Sequence, residues 1–145
     1  MAKKEDKFCV LDTNILVYAL DADSDHHAEV RNHLEQLHKT GYRFCLTEQI
    51  VRETLVVVTQ SRLTHKPVSS REARLLGWHL LFQMVLLHSN NFSRLTLLDL
   101  IEKYDLKGNI IHDANIVAVM VSHGVKELYT CNKKDFPYDE ISLIK

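Results

Sequence analysis

Asp12, Glu53, Asp113 and Asp135, with the neutral Asn132, are oxygen-donor side chains set beside apolar runs, spread along 145 residues. Carboxylates brought to one spot repel, so such a set persists only if some are protonated or a cation neutralises them. A hard divalent ion, Mg2+ or Mn2+, takes oxygen ligands octahedrally and can hold a phosphate oxygen together with one or two carboxylates and water. Such an ion lowers the pKa of a bound water and polarises a phosphate, which is the chemistry of phosphodiester hydrolysis. The residues expected to hold it are Asp12, Glu53, Asp113 and Asp135, with Asn132 offering a carbonyl oxygen or orienting a water.

These residues share a site only if the chain folds to bring them together. Phe8 to Leu11 is a short apolar run of the kind a strand buried on both faces shows, and Asp12 follows it directly. Asn14 to Leu20 predicts a short helix capped by Asn14, and Asp25 a second helix capped there and running to about Lys39. A strand at Tyr42 to Leu46 leads to a helix opened by Thr47, although Leu55 to Thr59 is rich in β-branched residues. Ser69 and Glu72 form a capping box before Leu75 to Leu81, which is apolar nearly all round and so expected to pack on several sides, ending near Gln83. Met84 to Leu87 predicts a strand, Phe92 to Tyr104 a helix, Gly108-Asn109 its terminating turn, and His112 the neighbourhood where another helix begins. Gly124 stops that helix before a strand at Glu127 to Cys131, and Ile141 to Ile144 forms the last strand.

Strands alternating with helices predict an α/β fold: a central parallel sheet flanked by helices in three layers, with right-handed crossovers. Sheets of this kind bind ligands at the carboxyl ends of their strands, where the strand order reverses. Asp12, Glu53, Asp113 and Asn132 can all reach that edge.

Composition narrows the classes further. With 46% hydrophobic residues, the chain suits one domain over residues 1–145 and can bury an ordinary core. A formal net charge of -1 gives no global positive field, so any nucleic-acid contact must be a local basic patch, for which Arg52, Lys133 and Lys134 are placed beside the site residues. Cys9, Cys45 and Cys131 are expected as buried reduced thiols of a cytoplasmic protein. The charged start MAKKEDK and short apolar runs predict neither a leader nor a membrane span. The nine His residues show no zinc-ligand pattern with Cys; His112, beside Asp113, is the one placed to touch the site. Glu48 is the rival to Glu53, but a first-turn acid is already explained by the helix dipole. Thr130 is expected to pin a strand end, and Trp78 to lie in the core or at a dimer contact.

The stretches LDTNILVYAL, TEQIVRETL, HDANIVAVM and LYTCNKKDF, in that order, resemble the successive motifs of PIN-domain ribonucleases, particularly the short toxins of VapBC-type toxin–antitoxin pairs. The resemblance covers almost the whole chain. It implies a PIN-like fold and metal-dependent endoribonuclease activity that leaves 3′-hydroxyl and 5′-phosphate ends. It further implies a small antitoxin partner, a homodimer, and metal-ligand positions at Asp12, Glu53 and Asp113. The fourth position departs from the family pattern, with Asn132 where many members carry Asp, and Asp135 three residues on. Two other readings stay open: a catalytically weakened PIN scaffold that binds RNA or a protein, and a haloacid-dehalogenase-like phosphatase using Asp12 as nucleophile. The second normally needs D-x-D, and here Asn14 stands in for its second acid. A response-regulator receiver fits the same residues only loosely.

Overall fold

The computed structural model describes residues 5–60 and 65–145; the start of MAKKEDK lies outside them. The elements run β1 (Lys7–Leu11), α1 (Thr13–Leu20), α2 (His27–Lys39), β2 (Tyr42–Thr47), α3 (Glu48–Thr59), α4 (Ser70–Gln83), β3 (Val85–Leu87), α5 (Asn91–Lys103), α6 (Ile110–Ser122), β4 (Glu127–Tyr129) and β5 (Ser142–Leu143). All five strands join one parallel sheet in the order β3-β2-β1-β4-β5, flanked by the six helices. The chain builds outward from β1 to β2 and β3, then crosses back to lay β4 on the other side of β1. The order therefore reverses beside β1, and Asp12, the next residue after that strand, sits at the crevice where such sheets bind ligands.

The core lies where the apolar runs promised. Cys9, Val10 and Leu11 of β1 are buried, as are Cys45 and Leu46 of β2 and Leu128 of β4. In α6, Ala114 and every residue from Ile116 to Met120 are buried, so this helix is enclosed on most sides. The β-branched end of α3 stays helical because Ile50, Val51, Thr54 and Val58 recur on one buried face, and packing of that face outweighs local strand preference.

Several boundaries differ from the sequence expectation, each for a local reason. Asp12 caps α1, its Oδ1 accepting from the Thr13 amide at 2.8 Å, so the helix starts one residue before Asn14. Asn14 is freed for the longer-range bonds described below. Asp25 does not cap α2; that helix begins at His27 with no side-chain cap. A second capping box, Asn90 with Ser93, opens α5 at Asn91. That helix ends at Lys103 with Tyr104 as its C-cap, as expected, but the turn that follows has Asp105 in the left-handed region at φ 50°, ahead of Gly108-Asn109. Gly108, at φ 73°, instead turns the chain into α6, which opens at Ile110 rather than His112.

Two burial expectations are corrected. Cys131 is exposed, because β4 stops at Tyr129; Cys9 and Cys45 are buried thiols as expected. Helix α4 packs through Ala73, Gly77 and Leu80 on one side only, leaving Leu75, Trp78 and Leu81 about half exposed and Phe82 at 75%. Trp78 is stacked on Phe82 outside the core, their ring centroids 5.3 Å apart.

Candidate metal centre at the switch point

Pairing of β1 with β4 puts Leu11 opposite Tyr129, and the Asp12 amide donates to the Tyr129 carbonyl at 3.0 Å. The next residue, Thr130, is therefore delivered to the Asp12 carboxylate, where its hydroxyl donates to Oδ2 at 2.7 Å. Asn14 donates to the same oxygen at 3.2 Å, and its own Oδ1 accepts from the Cys131 amide at 3.1 Å. With the Thr13 amide on Oδ1, the Asp12 carboxylate is held by three donors. Burial pushes its pKa up, the hydrogen bonds from Thr130 and Thr13 pull it back, and the charge of Glu53 adds to the rise. Thr130 thus pins the strand end as expected, and it pins the carboxylate as well.

Glu53 comes from the second turn of α3. The Thr13 hydroxyl donates to its Oε2 at 3.0 Å and Gln49, one turn earlier on the same helix, donates to its Oε1 at 2.8 Å. Gln49 is buried, and its Nε2 also donates to the His112 carbonyl at 2.9 Å, which ties α3 to the start of α6. Asn115 completes this chain by donating to Gln49 Oε1 at 2.9 Å. Glu48 is occupied elsewhere, accepting from the Ser89 amide at 3.1 Å, with His88 3.4 Å away. Glu53 is accordingly the acid that faces Asp12.

Asp113 lies in the first turn of α6, where the helix dipole favours an anion. Its carboxyl is nevertheless pushed up to about 6, first by burial and then by the charges of Asp12, Asp135 and Glu53. The four acids named from the sequence therefore act on one another. Neither Asp113 nor Asp135 has a hydrogen-bond or ion-pair partner among the described residues. Asp135 closes a one-turn 3-10 helix, Lys133–Asp135, and is exposed. Asn132 is held by its backbone, the amide donating to Thr130 Oγ at 3.0 Å, while its side chain makes no hydrogen bond to a described residue. His112 contributes its carbonyl; its ring is exposed.

The donor set suits a hard divalent cation. It is made of carboxylates and amide oxygens, while the nearby Cys131 thiol has its pKa raised by partial desolvation and the charge of Asp12, which disfavours the thiolate. The Tyr138 hydroxyl, within the field of Asp113 and Asp135, is buried without a hydrogen-bond partner. Among the described residues no three acidic, His or Cys side chains are close enough to hold an ion by themselves. A small ion that keeps several waters needs only one or two direct carboxylates, so the spacing is compatible with it.

Gln49 and Asn115 escaped the sequence reading. The signal was present in the four-residue spacing of Gln49 and Glu53 and in the lone amide of α6, two residues after Asp113, but both patterns also describe solvated helix positions.

A family model described as PIN domain matches residues 9–138. No curated protein sequence matches the chain. Among solved structures, VapBC2 from Rickettsia felis, bound to a DNA fragment from its promoter, is similar at a TM-score of 0.67 and 21% identity, covering 94% of this chain and 97% of that one. VapC20 from Mycobacterium tuberculosis, described as a sarcin-ricin loop cleaving toxin, is similar at 0.64 and 14%, covering 92% and 98%. DNA-bound VapBC from Salmonella typhimurium is similar at 0.66 and 16%, covering 97% and 98%. At these identities the likeness is one of fold. No helix among the described residues is long and apolar enough to cross a membrane.

Proposed function

The chain belongs to the PIN domain family, and from that premise we propose that it is a divalent-metal-dependent endoribonuclease acting as the toxin of a toxin–antitoxin pair. The observation that carries this reading is the mutual field of Asp12, Glu53, Asp113 and Asp135 at the switch point of the sheet, with no basic side chain paired to any of them among the described residues. Bound there, Mg2+ or Mn2+ would polarise a phosphate and lower the pKa of a water. Asp12 and Glu53 are the fixed oxygen donors, each oriented by hydrogen bonds from at least two other side chains or amides. Asp113, with no hydrogen-bond or ion-pair partner among the described residues, has its carboxylate free to face the ion or a water bound to it. Asp135 adds charge at the open side, and Asn132 has a carbonyl oxygen to offer. Arg52, Lys133 and Lys134, all exposed, supply cations for the RNA backbone.

The structural relatives solved as toxin–antitoxin complexes support the toxin part of the reading. So does the exposed apolar surface: Leu75, Trp78, Leu81 and Phe82 on α4, with Phe92, Leu95 and Leu98 on α5, suits protein partners such as a small antitoxin or a second copy. The direct test is incubation of the purified chain with structured RNA. Cleavage leaving 5′-phosphate ends is expected with Mg2+ or Mn2+ and none in excess EDTA; cleavage that persisted in EDTA would overturn the metal-dependent mechanism.

Gln49→Leu provides a test of the support around Glu53. Loss of the amide frees one carboxylate oxygen and removes the hydrogen bond from α3 to the His112 carbonyl at the start of α6. Partners of this kind typically carry a 10–100-fold effect on metal affinity or activity, so cleavage should fall by about that much. Thermal unfolding should show a cost of about 0.5–1.5 kcal/mol for each hydrogen bond lost between α3 and α6. An unchanged rate would remove Gln49 from the machinery.

A further inference from the structure

Beside the acids runs an open groove of about 800 Å³, with Glu53 and Thr13 in its lining. Part of its lining is aliphatic, from Val56, Val57, Leu97 and Ile111, and Arg52 and Asn115 line it too. We propose that this groove is a subsite for one nucleobase next to the scissile phosphate, and that Asn115 reads that base's edge. The inference rests on the nuclease reading, because the base reaches the groove as part of an RNA whose phosphate sits at the acids.

The hydrogen-bond chain behind Asn115 carries the argument. Gln49 faces two acceptors, Glu53 Oε1 at 2.8 Å and the His112 carbonyl at 2.9 Å, so it must turn its NH2 toward them. Its carbonyl oxygen is thereby turned to Asn115, which must answer with its own NH2, at 2.9 Å. Asn115 is left with a fixed orientation, and its Oδ1 accepts no hydrogen bond from any described residue. An amide locked in this way presents an acceptor in one direction, which can take a hydrogen bond from an amino or imino group on a base edge. The aliphatic walls offer contact to a flat apolar face, and the size falls in the range of small-ligand sites. Arg52, which makes no ion pair with a described residue, is placed to take the adjoining phosphate. A nucleobase attached to a phosphate matches all three features: apolar faces, a polar edge and a neighbouring charge.

The test compares the full chain with Asn115→Leu and with Val56→Asp, the latter at a half-exposed wall position that should tolerate the change. Cleavage of a random-sequence RNA pool in Mg2+ or Mn2+ is sequenced at the cut ends. In parallel, binding of short RNAs, intact or with single abasic sites beside the phosphate, is followed by fluorescence anisotropy in EDTA. A base preference at one position flanking the cut is expected, falling about tenfold in Asn115→Leu, together with a binding loss on removing that base which both variants abolish. An identical cut profile in Asn115→Leu overturns the subsite while leaving the nuclease reading intact. Absence of any cleavage defeats the nuclease reading, and the binding arm still decides the groove. Equal binding of intact and abasic RNA assigns the groove to another occupant, such as a peptide, and overturns the proposal.

Discussion

Asp12→Asn is expected to lower RNA cleavage by about two to three orders of magnitude, the scale on which removing one principal electrostatic contact to a reacting centre acts. The change removes a charge and almost no volume. The Thr13 amide can still be capped, since Asn caps helices as well as Asp does. With the side-chain oxygen kept for the Thr13 amide, the Oδ2 position becomes an NH2, so the Asn14 amide loses its acceptor there and the Thr130 hydroxyl must turn to accept instead. Against that cost, a neutral amide escapes the burial that raises the Asp12 pKa and the repulsion from Glu53. The variant should therefore fold, bind RNA close to normally through Arg52, Lys133 and Lys134, and fail in the chemical step. Single-turnover cleavage alongside RNA binding separates these outcomes. Induced expression gives a cellular version: the natural chain should arrest growth and the variant should not. Equal cleavage by both would place the activity outside the acid cluster.

The second large effect is on stability. Asp113 and Asp12 both carry pKa values raised above those of the unfolded chain, Asp113 to about 6. Between the unfolded value of 3.8 and about 6 the native state thus holds more protons than the unfolded one. Stability then falls as pH rises through that window, opposite to a salt-bridged carboxylate. Asp21 and Glu140 are held low, by His65 and by Lys103 with Tyr104 respectively, so their stabilising effect is lost only as pH falls below their unfolded values of 3.8 and 4.5, outside the pH 5 to 6.5 comparison. The metal-free protein should melt a few degrees higher at pH 5 than at pH 6.5, and Asp113→Asn should flatten the slope. A divalent ion that binds the folded acids at a hundred times its dissociation constant adds about 2.7 kcal/mol. For a chain of this size that is on the order of 5–10 °C, which EDTA should remove. Melting curves with Mg2+, Mn2+ and EDTA across this pH range check it. A metal-free melting temperature that rose from pH 5 to 6.5 would contradict the clustered, unneutralised acids.

What the sequence made legible follows from where its punctuation was strong. The short apolar run ending at Asp12, the Thr47 cap of α3 and the Ser69–Glu72 box marked elements whose positions the structure repeats closely. Asp12, Glu53 and Asp113 were legible as acids at the strand-end edge because the α/β alternation alone sends them there. Asn14 was misread because two neighbouring residues can each cap one helix end, and only the distant Thr130 and Cys131 decide which does. Cys131 looked like strand interior because an apolar run carries no sign of where pairing stops. The exposed side of α4 was hidden for a related reason: an apolar residue facing a partner protein and one facing the core read alike. Gln49 and Asn115 depend on contacts 63 and 66 residues apart, which no local pattern records.

The Thr130–Asp12 hydrogen bond joins residues 118 apart in sequence. Contacts of such separation close large loops and are disfavoured until most of the chain is already ordered. The acid site is therefore expected among the last features to assemble during folding and among the first to be lost on partial unfolding. A partly folded chain in which β4 has not paired with β1 would have helices and yet no acid site. Activity would then switch on with completion of the fold, and local opening of the turn after β4 would suffice to disarm the protein without unfolding it.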